Sequence, residues 1–407
     1  MKIHMLTAGM LLTLGLPVHA SQQLSWAGWL MQSVEQHPTM QAYNHLQTSS
    51  ELSALGMAKP LYNPSLNTSI EQEGSDTNFQ IGLSSDIDWW DMKATRTELG
   101  NLSAQQARVD KTIITNDLLA DIMTAQVQTA LGEEAYELAK LQVEQDLKVL
   151  QLTRDQLSAG EVNRTEVAMA KAVVGQGMVL ENERLSEWLG AQQSLRELAG
   201  ERAQSYTIDH AFWGSSIAST AGVDVIKLPE VQRSRLNWLE AKQEADRQVQ
   251  ANKPVPNLGV GVGKQAGESI ISLNVSVPIQ WRNDYREVNE AAREAALASE
   301  QQLHAKMLSA QEKLRSLRLQ FRQTQQRYEQ WRDLHENYLS EEITVLQNRY
   351  AQGDLSMADY QWQVQQLRAG MQAGLTLKQN YQITFIAYLH TTGRLAAYVL
   401  SLNLQEQ

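Results

Sequence analysis

Two segments of the chain alternate apolar and polar residues with a period of two. The first covers residues 65–88 and the second covers residues 257–280. In both, one face is apolar and the other consists of small or polar residues, a pattern that predicts β-strands. Each segment is interrupted near a glycine, Gly74 or Gly267. The pattern therefore predicts two β-hairpins with strands of about 9–11 residues, long enough to cross a bilayer when tilted.

A second pattern follows each hairpin. Residues 91–159 and 283–352 contain no proline and are rich in good helix formers. In the later stretch, apolar residues keep an alternating spacing of four and three at Leu303, Met307, Ala310, Leu314, Leu317, Phe321, Thr324, Tyr328, Trp331, His335 and Tyr338, and resume it at Leu339, Ile343, Leu346 and Tyr350. This spacing predicts a coiled-coil helix, which at 70 residues would be about 105 Å long.

Each long helix is predicted to end at a glycine that precedes an acidic residue. These pairs are Gly160–Glu161 and Gly353–Asp354. Glycine just beyond a helix favours the left-handed cap, and Thr165 and Ser356 are candidate N-caps of the returning helices. The pattern therefore predicts two antiparallel helical hairpins.

The same order of segments occurs twice. Pro60, Trp89 and Gly160 correspond to Pro254, Trp281 and Gly353, at offsets of 192 to 194 residues. We interpret this as an internal duplication, which has to be recognised before single motifs are interpreted. The predicted divisions are a signal peptide (1–20), a first repeat (21–200), an inter-repeat linker (201–227), a second repeat (228–395) and a C-terminal tail (396–407).

The N-terminal segment, the net charge and the cysteine content indicate where the protein is located and which partners are unfavourable. Lys2, an apolar run and Val18-His19-Ala20 predict a signal peptide that is cleaved on export. The net charge of -11 makes nucleic acid an unfavourable partner. The chain has no cysteine, which excludes disulfides and lipid attachment at a cysteine and favours a Gram-negative envelope. After Ala20 no run of about 18 apolar residues predicts a transmembrane helix.

Aromatic residues flank the predicted hairpins. Tyr62 precedes the first, Trp89 and Trp90 follow it, and Trp281 follows the second. Aromatic residues at strand ends are typical of a membrane interface, although a soluble sheet can carry them as well. Four strands cannot close a barrel, and open edges cannot face lipid. Three copies would supply twelve strands, an even number as in bacterial barrels.

Candidate chemistry is sparse. Gly261-Val262-Gly263 lies within a predicted strand and lacks the helix that a dinucleotide site requires. The histidines are scattered and form no metal-ligand motif. We predict no catalytic, cofactor or metal site and hence no enzyme. A soluble periplasmic coiled-coil scaffold or adaptor remains the alternative from another class.

The combination of these features resembles the TolC family of outer-membrane efflux channels over residues 24–395. The matching landmarks are Pro60-Leu61-Tyr62-Asn63-Pro64-Ser65-Leu66, Ile87-Asp88-Trp89-Trp90, Leu157-Ser158-Ala159-Gly160-Glu161-Val162 and Tyr350-Ala351-Gln352-Gly353-Asp354-Leu355. The resemblance implies an α+β membrane protein: a trimeric 12-stranded outer-membrane β-barrel continued by a periplasmic α-helical coiled-coil tunnel. It also implies a periplasmic adaptor and an inner-membrane pump, expected to be of the resistance-nodulation-division type.

Within that family the chain is most similar to the CzcC-type subgroup, which implies export of heavy-metal cations. Drug efflux and type I secretion are alternatives of the same class. The resemblance places Gly160, Glu161, Gly353 and Asp354 at the periplasmic entrance, where the adaptor docks. It also implies that Glu166 and Asp359 line this entrance. The strand phase predicts that Glu71, Glu73, Gln80 and Asp86 face the barrel lumen.

Overall fold

The computed structural model describes residues 25–74, 76–208, 210–214, 223–335 and 338–403. The predicted signal peptide lies outside them. The described helices are α1 Trp26–Gln36, α2 Pro38–Met57, α3 Met92–Ala159, α4 Arg164–Ala199, α5 His210–Gly214, α6 Pro229–Ala251, α7 Arg286–His335, α8 Tyr338–Ala351, α9 Met357–Thr391 and α10 Leu395–Asn403. The strands are β1 Ser65–Glu73, β2 Asp76–Asp86, β3 Asn257–Gln265 and β4 Glu268–Ser276.

Both predicted hairpins are present and form one antiparallel sheet. Its order is β1-β2-β3-β4, so the two hairpins meet at the β2–β3 ladder and the sheet stays open at β1 and β4. β3 and β4 join at Ala266 and Gly267, which both have positive φ, the conformation of a tight hairpin turn. The strands of 9, 11, 9 and 9 residues match the predicted length.

The long helices lie in the two predicted proline-free stretches. α3 is one unbroken helix of 68 residues, about 100 Å at ~1.5 Å per residue. In the second half α7 and α8 cover the predicted stretch, and residues 336–337 between them lie outside the description. The seam positions from Leu303 to Trp331 are buried or half-buried, as are Ile343, Leu346 and Tyr350. The seam side chains of residues 335–339 fall outside the described part.

The largest apolar core lies near the midpoint of α3. Leu119, Ile122 and Met123 pack there with α1, with the aromatic end of α9 and with α10. The segment expected to be a plain linker contributes the fully buried Phe212, whose ring meets those of Trp26 and Phe385. The expected C-terminal tail begins as α10, where Leu395 and Val399 are fully buried. Both segments are therefore structural parts of the core.

A helix that spans a bilayer needs about 20 predominantly apolar residues. Among the described residues, no helix is both long and apolar enough to cross a membrane.

Gly374 provides a test of the packing between α7 and α9. A Cβ at this position would lie 2.1 Å from Cζ2 of Trp331, whose indole nitrogen donates to the carbonyl of Gly370. We expect Gly374→Ala to lower the free energy of unfolding by about 1–3 kcal/mol, because the ring has to move. Denaturant unfolding measures this change.

Gly175→Ala is the matched control. Gly175 also lies within a helix, but a Cβ there would meet no atom within 4 Å. Its replacement should stabilise the protein by up to about 1 kcal/mol through helix propensity. Equal effects of the two substitutions would contradict the described packing.

Candidate functional sites at the sheet and the helical turns

The register of the sheet separates its residues into two faces. Ser69 pairs with Gln80, Gln80 with Gly263, and Gly263 with Ile270, so these four positions share a face. By the same register Glu71 and Asp86 lie on this polar face, and so does the backbone position of Glu73, whose side chain lies outside the description. The register therefore puts the four predicted positions on one surface of the sheet.

Short polar side chains connect the strands across this face. Gln80 donates to the hydroxyl of Ser272, and Asn257 donates to the carboxylate of Asp86 at 2.7 Å. Asn67 donates to the hydroxyl of Ser84 at 2.7 Å. Within the four strands the charged residues of this face are all acidic: Glu71, Glu73, Asp76, Asp86 and Glu268. The polar face can hydrate a solute and repels anions.

The opposite face is apolar and exposed. Its residues include Leu66, Ile70, Phe79, Ile81, Leu83, Leu258, Val260, Val262, Ile271, Leu273 and Val275, with Ile271 88% exposed. In the four strands the charged residue of this face is Lys264. A contiguous apolar surface of this kind indicates contact with a membrane or with another protein.

The predicted interfacial aromatics lie at the end of the sheet that joins the helices. This placement follows from the antiparallel order, since β1 and β3 begin where β2 and β4 end. Trp89 and Trp281 are exposed, and Tyr62 is half-buried. The Trp90 indole donates to the carbonyl of Pro254 at 2.8 Å, and the ammonium of Lys253 lies 4.6 Å from the Trp90 ring centroid. Trp90 therefore also joins the two hairpins.

The two helical turns lie side by side at the other end of α3. An apolar cluster joins the last turns of α3 and α8 to the first turns of α4 and α9, and includes Leu150, Val167, Met357 and Val364. Within it the hydroxyls of Thr153 and Tyr350 are 2.9 Å apart. The two hairpins are therefore packed together where they turn.

Both turns have the predicted glycine geometry. Gly160 and Gly353 have φ values of 81° and 79°, which L side chains rarely adopt. The N–H groups of Glu161 and Asp354 donate to the carbonyls of Gln156 and Arg349 at 2.9 and 3.0 Å. This is the Schellman motif, formed in the same way in both halves.

The acids Glu166 and Asp359 occupy equivalent positions in the returning helices. Asn163, not the predicted Thr165, is the N-cap of α4, and its side chain accepts from the N–H groups of Thr165 and Glu166. Thr165 is already helical, because the cap forms two residues earlier. Ser356 caps α9 as predicted.

Each acid also accepts a hydrogen bond from the side chain of its own N-cap residue. The side chain of Asn163 donates to the Glu166 carboxylate at 3.3 Å, and the Ser356 hydroxyl donates to that of Asp359 at 2.7 Å. These contacts place a carboxylate at the positive end of each helix, where it is favourable. Glu166 and Asp359 therefore have a structural role in addition to any role in lining an entrance.

A stable metal site needs several histidine or acidic side chains close together. In the part of the chain that the structure describes, no group of three or more histidine or acidic side chains could hold a metal ion.

Tyr360 is a buried residue of this end that the sequence did not single out. Its side chain is fully buried, and burial raises the pKa of its hydroxyl to about 12 from an ordinary value of 10.0. Between these pH values the unfolded chain loses the proton and the folded chain retains it. The free energy of unfolding therefore falls as pH rises from about 10 to 12.

We expect Tyr360→Phe to remove this contribution. At pH 8 the variant should be about as stable as the parent, because the buried hydroxyl makes no hydrogen bond of standard geometry among the described residues and its polar neighbour is the side chain of Gln347. At pH 11 it should be clearly more stable than the parent. Denaturant unfolding at both pH values measures this.

Tyr381→Phe is the comparison variant. Burial also raises the pKa of Tyr381 to about 12, but its hydroxyl donates to the carbonyl of Trp213 at 3.1 Å. This variant should lose stability at pH 8. An equal pH dependence in Tyr360→Phe and the parent would contradict the first prediction.

No protein-family model and no curated protein sequence matches this chain. Solved structures with the same fold include CusC, described as forming a transmembrane channel, with a TM-score of 0.75 and 14% identity over 92% of this chain and 95% of CusC. The outer-membrane protein VceC from Vibrio cholerae has a TM-score of 0.72 and 15% identity, over 91% of this chain and 99% of VceC. The open outer-membrane channel MtrE of Neisseria gonorrhoeae has a TM-score of 0.71 and 14% identity, over 90% and 88%. At these identities the likeness establishes the architecture alone: the chain has the fold of these outer-membrane channel proteins, with many long helices and a few strands.

Proposed function

We propose that this chain is the outer-membrane channel subunit of a tripartite efflux system and that it acts as a homotrimer. The observation that carries the proposal is the open four-stranded sheet, which exposes an apolar face and leads directly into α3, a helix of about 100 Å. Export of the mature chain to the outer membrane of a Gram-negative bacterium accounts for the predicted signal peptide. The channel is a passive conduit and not an enzyme.

Lipid contact accounts for the sheet. Its outer face is apolar, and its aromatic residues lie at the end that joins the helices, as at a membrane interface. The unpaired edges of β1 and β4 would then pair between neighbouring copies, and three copies would close a cylinder of twelve strands. The alternative of a soluble periplasmic scaffold leaves this apolar face without a partner.

The helices and turns then account for the periplasmic partners. If the sheet lies in the outer membrane, the turns at Gly160–Glu161 and Gly353–Asp354 are presented far below it. They would contact a periplasmic adaptor, which links the channel to an inner-membrane pump. Glu166 and Asp359 would line the entrance from the first turns of α4 and α9.

Heavy-metal cations are the proposed cargo. The CzcC-type resemblance supports this, and so does the polar face of the sheet, on which the charged strand residues are all acidic. Because a conduit does not have to bind what passes through it, drugs or a secreted polypeptide remain alternatives within the same class.

A pair of substitutions on neighbouring residues of β4 tests the membrane assignment. Leu273 lies on the apolar face and Asn274 on the polar face. We expect Leu273→Arg to prevent insertion, since arginine facing lipid at mid-membrane costs about 2–4 kcal/mol per copy. Asn274→Arg should still insert and give conductance steps in planar bilayers, as the parent protein should. Equal insertion of both variants, or a parent that is monomeric in water without detergent, would contradict the proposal.

The proposed entrance has a separate test. The double variant Glu166→Gln and Asp359→Asn removes two charges per chain and retains side chains that can still form the caps. We expect the permeability of cations relative to anions to fall by about two-fold or more, because a ring of carboxylates favours cations.

Reversal potentials across a salt gradient measure this ratio. Glu183→Gln, on an exposed face of α4, is the control for charge alone. If the double variant has the selectivity of the parent, then these two acids do not line the conducting path.

A further inference from the structure

A buried ion pair joins the two helical hairpins. The guanidinium of Arg368 in α9 donates to both carboxylate oxygens of Asp146 in α3, at 2.8 and 3.1 Å. The residues are 222 positions apart in the chain, one in each half. Their side chains are 13% and 2% exposed, which makes this the most buried ion pair formed by the described residues. It is therefore the one ion pair among them with little access to solvent.

The surroundings leave little room for the pair to rearrange. A second guanidinium contact reaches the carbonyl of Gln142 at 3.4 Å. On the other side, a Cβ at Gly177 of α4 would lie 3.5 Å from the Asp146 carboxylate and 3.2 Å from Val143, so α4 passes close over the acid. The Nε–H of Arg368 is buried without a partner among the described residues. The pair thus has little room to move, and one of its donors lacks a hydrogen-bond partner among the described residues.

Such a pair contributes specificity more than stability. The desolvation of two buried charges offsets much of their attraction, and well-packed apolar replacements are often as stable or more stable. Apolar residues along a coiled coil, by contrast, can pack in several registers. A polar residue at a seam position is satisfied in one register only.

The positions of Asp146 and Arg368 along their helices fit a role in selecting one register. Asp146 continues the buried spacing of Ala139, Gln142, Val149 and Thr153 along α3. Arg368 follows the buried Gln361 of α9 by seven residues. Asp146 lies fourteen residues before Gly160 and Arg368 fifteen residues after Gly353, so the pair joins the hairpins at the same distance from both turns.

We propose that Asp146 and Arg368 are positioning residues that set the axial register of the α8–α9 hairpin against the α3–α4 hairpin. They thereby fix the height of the turn at Gly353 relative to the turn at Gly160. The relative height of the two turns determines the shape of the periplasmic entrance. This last step rests on the proposed function. The two hairpins of one chain then move as one unit.

The test exploits the absence of cysteine from the natural chain. Cysteines introduced at Glu161 and Asp354 carry spin labels, and electron–electron resonance gives the distance distribution between the two turns. The test variant is Asp146→Leu with Arg368→Met. A slip by one helical turn would move the labels by about 5 Å along the axis. We expect the distance distribution to shift or broaden by about this amount. The thermal midpoint of unfolding should equal that of the parent or be higher.

An exposed pair between the same two helices provides the control. Lys378 of α9 and Glu134 of α3 are 2.8 Å apart, with side chains 31% and 51% exposed. The variant Glu134→Leu with Lys378→Met should retain the distance distribution of the parent. This comparison separates an effect of the buried pair from the loss of any link between α3 and α9.

A second test variant, Asp146→Asn with Arg368→Gln, keeps polar side chains of similar size in case the apolar pair does not fold. A folded variant of either kind with the parental distance distribution overturns the proposal, and so does unfolding of both, which would make the pair purely structural. The distance measurement requires no channel activity. Absence of conductance in the parent would therefore refute the proposed function and leave the register inference standing.

Discussion

The sheet cannot complete its own hydrogen bonding or cover its own apolar face. Among the described residues, β1 and β4 each leave one edge unpaired, and aliphatic residues with Phe79 form an exposed face over which no described helix packs. A sheet in this condition needs lipid or protein against that face and further strands at both edges. The helical part differs in that it forms apolar cores of its own, near the midpoint of α3 and at the turns, from residues of this one chain.

A single chain therefore forms packed helical cores and still has a sheet that requires further strands and a cover for its apolar face. α3 continues without a break from the hairpin to the far turn and packs on α2, α4, α6 and α9 along its length. At its start, the Asp88 carboxylate accepts from the N–H groups of Met92 and Lys93 at 2.8 Å, which connects the end of the sheet firmly to the helix. The position of the sheet relative to the turns is thus set within one chain.

Local signals in the sequence were sufficient for much of this architecture. The strand phase, the heptad seam and the glycine caps each depend on residues close together in the chain, and the structure agrees with all three. Thr165 was wrong as a cap because Asn163, two residues earlier, is at least as good an acceptor. The packing of Phe212 and of α10 was missed because short apolar segments show no periodicity, and their burial depends on a core formed elsewhere.

Pairings between the halves could not be predicted in the same way. Nothing in the periodicity of α3 or α9 indicates that Asp146 and Arg368 meet. A lone acid among the seam positions of α3 was nevertheless a signal that a partner was required. Glu166 and Asp359 illustrate a different limit, since the family resemblance implied that they line an entrance, whereas the structure adds a hydrogen bond from each acid to the cap residue of its helix.

The glycines of β3 leave the polar face of the sheet without side chains along much of that strand. Gly259, Gly261 and Gly263 alternate along the strand, and a Cβ at Gly263 would lie 2.2 Å from the carbonyl oxygen of Phe79. Along this strand the surface is bare peptide, crossed by the amide of Gln80 above Gly261. On the proposed function, a solute moving along this face would pass a strip whose floor is main chain, and the side chains of Gln80 and Ser272 would set its width at Gly261.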